Sequence, residues 1–158
     1  MSDEYVIGLI SDTHGLLRPD VHTALAGVGL ILHAGDVGDG ILDELELIAP
    51  VRAVRGNTDP IDDPRLPDAI EVELGGVRIH VSHGHETGSP TPVKLLARYN
   101  ADVIVYGHTH KQLIVESGGQ WVVNPGAAGA RRFDLLPSVG RLIIRDTLVT
   151  IELIELAG

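Results

Sequence analysis

Apolar residues recur along this chain in short blocks, rich in β-branched side chains and each followed by glycine and polar residues. Val6 to Ile10 runs into Ser11-Asp12-Thr13-His14-Gly15, and Gly29 to Leu32 runs into His33-Ala34-Gly35-Asp36. Val51 to Val54 runs into Arg55-Gly56-Asn57-Thr58-Asp59. Blocks of this length and composition predict buried strands. Helices are predicted after the first two, over Pro19 to Ala26 and Ile41 to Ala49. Pro19 suits a first helical turn, Pro50 suits a stop, and Ile41, Leu42, Leu45, Ile48 and Ala49 share one helical face. Strand alternating with helix predicts a parallel sheet.

The second half has a different pattern. Ala69 to Leu74 and Val77 to Ser82 flank Gly75-Gly76, a two-residue hairpin signal. A helix is predicted over Thr91 to Tyr99, then an apolar run from Val103 to Tyr106 that ends in Gly107-His108-Thr109-His110. Beyond it, antiparallel strands are predicted over Gln112 to Glu116, Trp121 to Asn124, Val139 to Arg145 and Leu148 to Glu155, with Asp146-Thr147 as a tight turn. The expected architecture is α/β, two packed mixed sheets with helices outside. With no linker, repeat or low-complexity segment, one domain over residues 1–158 is expected.

Composition narrows the chemistry. A chain of 158 residues can bury roughly 70% of the surface that its unfolded form exposes. Hydrophobic residues make up 44% but aromatic ones only 3%, so the core must come from Val, Leu, Ile and Ala, and stacking platforms for bases are not expected. Twelve Lys and Arg against 22 Asp and Glu give a net charge of −10, which repels a phosphate backbone at long range and argues against a stable nucleic-acid partner. The absence of cysteine excludes disulfides and thiolate metal sites, so any metal must be held by nitrogen and oxygen. The acidic start Met1-Ser2-Asp3-Glu4 is unlike a signal peptide, and no apolar run reaches membrane-spanning length. A cytoplasmic location without membrane attachment is expected.

Five separate apolar strands lead into a residue able to bind metal: Asp12, Asp36, Asn57, His83 and His108. In open α/β sheets, ligand sites lie in the crevice beyond the carboxyl ends of the strands, so the five point to one shared site. Asp12 and His14 lie two apart, as do His108 and His110, and in each pair both side chains can face the same centre while the residue between points away. Taken singly, an Asp after a strand is a turn or cap residue, and His83 is a core histidine. One metal cluster accounts for all of them together. Two divalent ions ~3.5–4 Å apart can activate a bridging water and clamp the attacking and leaving oxygens of an in-line displacement at phosphorus. Such a centre is net positive and attracts an anionic ester despite the acidic surface.

In their order along the chain, Asp12-Thr13-His14, Gly35-Asp36, Gly56-Asn57-Thr58-Asp59, Ser82-His83-Gly84-His85 and Gly107-His108-Thr109-His110 resemble the motifs of the calcineurin-like metallophosphoesterase superfamily, in particular its small bacterial and archaeal YfcE-like phosphodiesterase branch. Asn124-Pro125-Gly126 looks like the loop that follows the last histidine pair in that family. The resemblance spans nearly the whole chain and implies a four-layer αββα sandwich. It assigns Asp12, His14 and His110 to one metal and Asn57, His83 and His108 to the other, with Asp36 bridging. It also implies that Asp36, Asn57 and His108 act in catalysis, with hydroxide bridging the ions as nucleophile on a phosphoester, a phosphodiester being expected.

The donor set suits Mn²⁺, Fe, Zn²⁺, Co²⁺ or Ni²⁺ rather than a calcium cage, and the resemblance favours two Mn²⁺. Larger members of the superfamily carry a leaving-group His where this chain has Thr58. His85 and His33 read as supporting or packing residues. Asn57, Arg18 and Arg131 are candidate phosphate contacts, with Arg132 beside them. The expected partner is a small phosphoester substrate, with a homo-oligomer left open. The competing function is a scaffold for protein contacts, as in the retromer subunit with this fold, which resembles a degraded form of the same centre.

Overall fold

A computed structural model of the chain describes residues 4–131 and 134–157. Its strands form two five-stranded sheets. In the first, β1 (Glu4–Ile10) lies between β2 (Leu30–His33) and β9 (Ser138–Arg145), with β3 (Val51–Ala53) and β10 (Leu148–Glu155) at the edges. β1, β2 and β3 are parallel, with Ile10 opposite His33 and His33 opposite Ala53. The return strand β9 is antiparallel to both β1 and β10. The second sheet runs β4 (Ala69–Leu74), β5 (Val77–Ser82), β6 (Val103–Val105), β8 (Gln120–Asn124), β7 (Leu113–Ser117). The hairpins at Gly75-Gly76 and Asp146-Thr147 both form, and all four turn residues have positive φ.

Period-two patterning separates the faces of the first sheet. Ile7, Leu9, Leu32, Leu142 and Ile144 point toward Ile79, Val81, Val103, Val105 and Val123 of the second sheet, and all are buried. Ile10, Ile31 and Val139 point the other way, against Val21 of α1 (Asp20–Ala24), Leu25 at its end, and Ile41, Leu42 and Leu45 of α2 (Ile41–Leu45). On the outer face of the second sheet, Ile104 and Val122 pack on Leu95 of α3 (Pro92–Arg98). The order of layers is therefore helix, sheet, sheet, helix. Among the described residues, no helix is long and apolar enough to cross a membrane.

Two details differ from the sequence expectation. The first two helices are five residues each. The first ends where Gly27 takes φ 83°. The second continues to Ala49 as tighter turns, with Leu47 N–H bonded to Glu44 O and Ile48 N–H to Leu45 O. The segment Trp121 to Asn124 does not lie purely among antiparallel strands. It pairs antiparallel with β7 but parallel with β6, because the chain from β6 turns back through β7 before β8 fills the place beside it.

The sheet-to-sheet core carries the stability of this arrangement. Leu142→Ala should lower the unfolding free energy by about 2–5 kcal/mol, seen as a lower urea midpoint with an unchanged slope. Leu47→Ala, at a side chain 79% exposed, should change it by less than about 0.5 kcal/mol.

Candidate metal centre

The parallel strands β1, β2, β3, β5 and β6 all deliver their following loops to one end of the two sheets. Backbone bonds zip these loops together. Asp12 N–H donates to Gly35 O (3.0 Å), His14 N–H to Asp36 O (2.9 Å), Gly15 N–H to Val37 O (2.9 Å) and Gly107 N–H to His83 O (3.0 Å). Seven described non-glycine residues have positive φ, and five of them are Asp12, His14, Asp36, His108 and His110. Left-handed backbone is uncommon outside glycine and persists where the surroundings over-determine it, typically at functional sites. Here it turns alternate side chains inward over a distance that an extended strand would not close.

All seven sequence-predicted donors come together. His110 Nε2 lies 3.4 Å from Asp12 Oδ1, and His14 Nε2 lies 3.9 Å from the same oxygen. Asp36 Oδ2 faces His83 Nε2 at 3.3 Å and His14 Nε2 at 3.6 Å. His108 Nδ1 is 3.2 Å from Asn57 Oδ1 and 3.3 Å from His83 Nε2. Ligands about 2.1 Å from one ion are themselves roughly 3.0–3.4 Å apart; the His110, His83 and His108 spacings fall in that range, and those of His14 are a few tenths of an ångström wider. Asp12 Oδ1 is buried without a hydrogen-bond partner, as a ligand atom reserved for a cation would be.

The other atoms of the same side chains are tied to the protein. Asp12 Oδ2 accepts from Ser11 Oγ (2.7 Å) and His108 N–H (3.1 Å), and Asp36 Oδ1 accepts from Thr58 N–H (3.0 Å). His83 Nδ1 donates to Ala34 O (2.8 Å), which leaves the Nε2 lone pair facing the centre. Burial alone would raise both carboxyls. The His110 contact with Asp12, and for Asp36 the His83 contact and the Thr58 N–H, outweigh burial and hold both below the usual carboxylate range. Burial lowers His83, but Asp36 and Asp12 together push it up. Two ionised carboxylates so placed call for compensating positive charge.

Glycines bring the loops close enough. A Cβ on Gly107 would strike Ser11 Oγ and Asp12 Oδ2, and one on Gly56 would strike the carboxylate and backbone of Asp36. Buried Asp59 accepts from Val37 N–H, Gly38 N–H and Gly56 N–H, joining the Asp36 loop to the Asn57 loop. Asn124 donates through Nδ2 to Gly107 O and Thr109 Oγ1 and accepts from Gly126 N–H, bracing the last histidine pair. Ser11 and Asp59 stand in the sequence motifs but had no role assigned from sequence, and the left-handed loops escaped it. Asp and His are enriched in left-handed backbone, and the glycines beside them carry the signal that was there to find.

Residues read as weaker candidates fall in several places. His33 is wholly buried away from the donors, and burial lowers it to about 4. His85 is half-buried, its ring 5.4 Å from that of His83 and 6.3 Å from that of His108, and burial lowers it too. Arg18 donates to Gly129 O (2.8 Å) and Ala157 O (3.2 Å), so at least two of its N–H groups hold the chain itself rather than a phosphate. Arg131 is exposed and Arg132 lies outside the described residues. A cavity of about 340 Å³ opens beside His14 and Thr58, walled by Asp39, Asp43, Asp63 and Arg65.

Comparison with known proteins gives the family of the chain. The family model of the calcineurin-like phosphoesterase superfamily domain matches residues 6–147. A probable metallophosphoesterase of Methanothermobacter thermautotrophicus is 35% identical over 159 residues, covering 95% of this chain and 92% of the relative. Phosphodiesterase MJ0936 of Methanocaldococcus jannaschii is 31% identical over 139 residues, covering 76% of this chain and 82% of the relative. Among solved structures, Vacuolar Protein Sorting 29 from Cryptosporidium parvum superposes with a TM-score of 0.79 at 23% identity, over 98% of this chain and 99% of that one, a likeness of fold. A family match across both sheets, with 35% identity to a relative over nearly the full length, makes this chain a member of the calcineurin-like phosphoesterase superfamily.

Proposed function

We propose that this chain is a phosphoesterase that hydrolyses phosphodiesters at a centre of two divalent transition-metal ions, Mn²⁺ being the favoured pair. The observation that carries the reading is Asp36 Oδ2, which faces His14 Nε2 at 3.6 Å and His83 Nε2 at 3.3 Å and so stands between two donor sets. On one side Asp12, His14 and His110 would hold the first ion. On the other Asn57, His83 and His108 would hold the second. When bound, such ions supply a nucleophile from water near neutral pH and offset charge on the phosphoryl oxygens.

The chain's own residues do the rest. Asn57 and His14 are exposed and His108 is half-buried, so the phosphoryl group would reach the centre from that side. With Asn57 Oδ1 turned toward His108, the Asn57 amide N–H is available to a phosphoryl oxygen. The Thr58 N–H holds Asp36 in place, while its side chain, which would stand where larger relatives carry the leaving-group His, has no proton to give near pH 7. The phosphodiesterase name of the archaeal relative supports the choice of a diester. A scaffold role, by likeness to Vacuolar Protein Sorting 29, would not need a complete donor set. Hydrolysis of an aryl phosphodiester with added Mn²⁺, abolished by a chelator and restored by metal, is the direct test; no turnover under any metal would sink it.

Asp36→Ala should abolish activity and lower metal content, because it removes the carboxylate shared by both sets. His85→Ala should keep its metal and lose less activity. Equal loss in both, with metal retained in both, would contradict these positions. The rate should also fall steeply as leaving-group pKa rises across a series of aryl and alkyl phosphodiesters, since general acid catalysis worth roughly 10²- to 10⁴-fold is missing at Thr58. Thr58→His should flatten that slope. A shallow slope in the unaltered protein would show that another group already supplies the proton.

A further inference from the structure

The one wholly buried histidine outside the donor set, His33, ends β2 and lies between the first two donor loops. Its Nδ1 is 3.1 Å from Gly35 N, and its Nε2 is 2.9 Å from Thr13 Oγ1. Gly35 sits beside Asp36, and Thr13 sits between Asp12 and His14. The protons in this chain of contacts have one consistent arrangement. A backbone N–H only donates, so Nδ1 must be the bare, accepting nitrogen. The ring proton is then on Nε2 and is donated to Thr13 Oγ1. Thr13 can accept it because its own hydroxyl proton is already directed to Val37 O at 2.6 Å. An imidazolium, or the other tautomer, would set N–H against N–H at Gly35.

We infer that His33 is a positioning residue whose neutral Nε2–H form locks the Asp12–His14 loop to the Gly35–Asp36 loop and so fixes the spacing of the first donor set against Asp36. Both loops need such a lock, because Asp12, His14 and Asp36 are all left-handed. The three backbone bonds between the loops set their register, and the His33–Thr13 link ties the side of the loop facing away from the centre. The second set meets the same two loops through other bonds, His83 Nδ1 to Ala34 O and His108 N–H to Asp12 Oδ2, and none of these runs through Thr13 or the His33 ring. Losing His33 should therefore weaken one ion more than the other. This inference rests on the two-ion reading above.

Two amides divide the ring's functions. His33→Asn can place an oxygen where Nδ1 accepts from Gly35 but does not reach Thr13, whereas His33→Gln can reach Thr13 and loses the acceptor. His33→Phe fills the space and offers neither. Calorimetric titration with Mn²⁺ should show one of the two ions bound about 10- to 100-fold more weakly in His33→Phe, as for other partners behind metal ligands. The other ion should be held nearly as in the parent protein. Each amide should recover part of the difference. Nitrogen-15 NMR of the parent protein should show His33 protonated at Nε2 and bare at Nδ1, a readout that needs neither metal nor turnover. A protonated Nδ1, or a folded His33→Phe protein that binds both ions like the parent, overturns the proposal. If His33→Phe does not fold, the amide variants and the tautomer decide in the same way. A parent protein that binds fewer than two ions would instead contradict the two-ion reading.

Discussion

Two carboxylates, Asp12 and Asp36, are buried within a few ångströms of each other's partners, and burying charge is costly unless it is both paired and hydrogen-bonded. The surrounding structure answers that constraint atom by atom. Each carboxylate gives one oxygen to the chain, Asp12 to Ser11 and His108 N–H and Asp36 to Thr58 N–H. Each turns its other oxygen toward imidazole nitrogens. The consequence is a cluster that is stable only as a unit, because displacing either carboxylate leaves charge without a partner.

Holding that unit requires backbone that strands alone do not provide. The sheets bring five loops to one end, and five of the seven donors, Asp12, His14, Asp36, His108 and His110, sit there on left-handed backbone. Glycine packing, the Asp59 carboxylate and the Asn124 amide keep those loops together. The large apolar interface between the sheets supplies the stability against which this local strain is tolerated.

Much of this was legible in the sequence for a physical reason. Short β-branched runs with period-two burial read directly as strands, and the glycines at Gly75-Gly76 read as a turn because only glycine takes that backbone freely. The donors were legible because they follow those strands, so the topology alone puts Asp12, Asp36, Asn57, His83 and His108 at one end. Less legible was what depends on tertiary context. The parallel pairing of β8 with β6 follows from which gap in the sheet is open, not from the composition of Trp121 to Asn124. The ties made by Arg18 to Gly129 and Ala157 span most of the chain in sequence, and nothing near Arg18 predicts them. The same holds for the tie from His33 to Thr13, which the pairing of β1 with β2 sets, whereas its contact with Gly35 is local.

The central claim is that Asp36 stands between two ions. The most direct measurement is crystallographic anomalous scattering of the protein reconstituted with Mn²⁺, with elemental analysis of the same sample. Two ions per chain on either side of Asp36 Oδ2, one beside Asp12 and His110 and one beside His83 and His108, is the predicted result. One ion per chain, or two ions with Asp36 bound to neither or to only one, would contradict it.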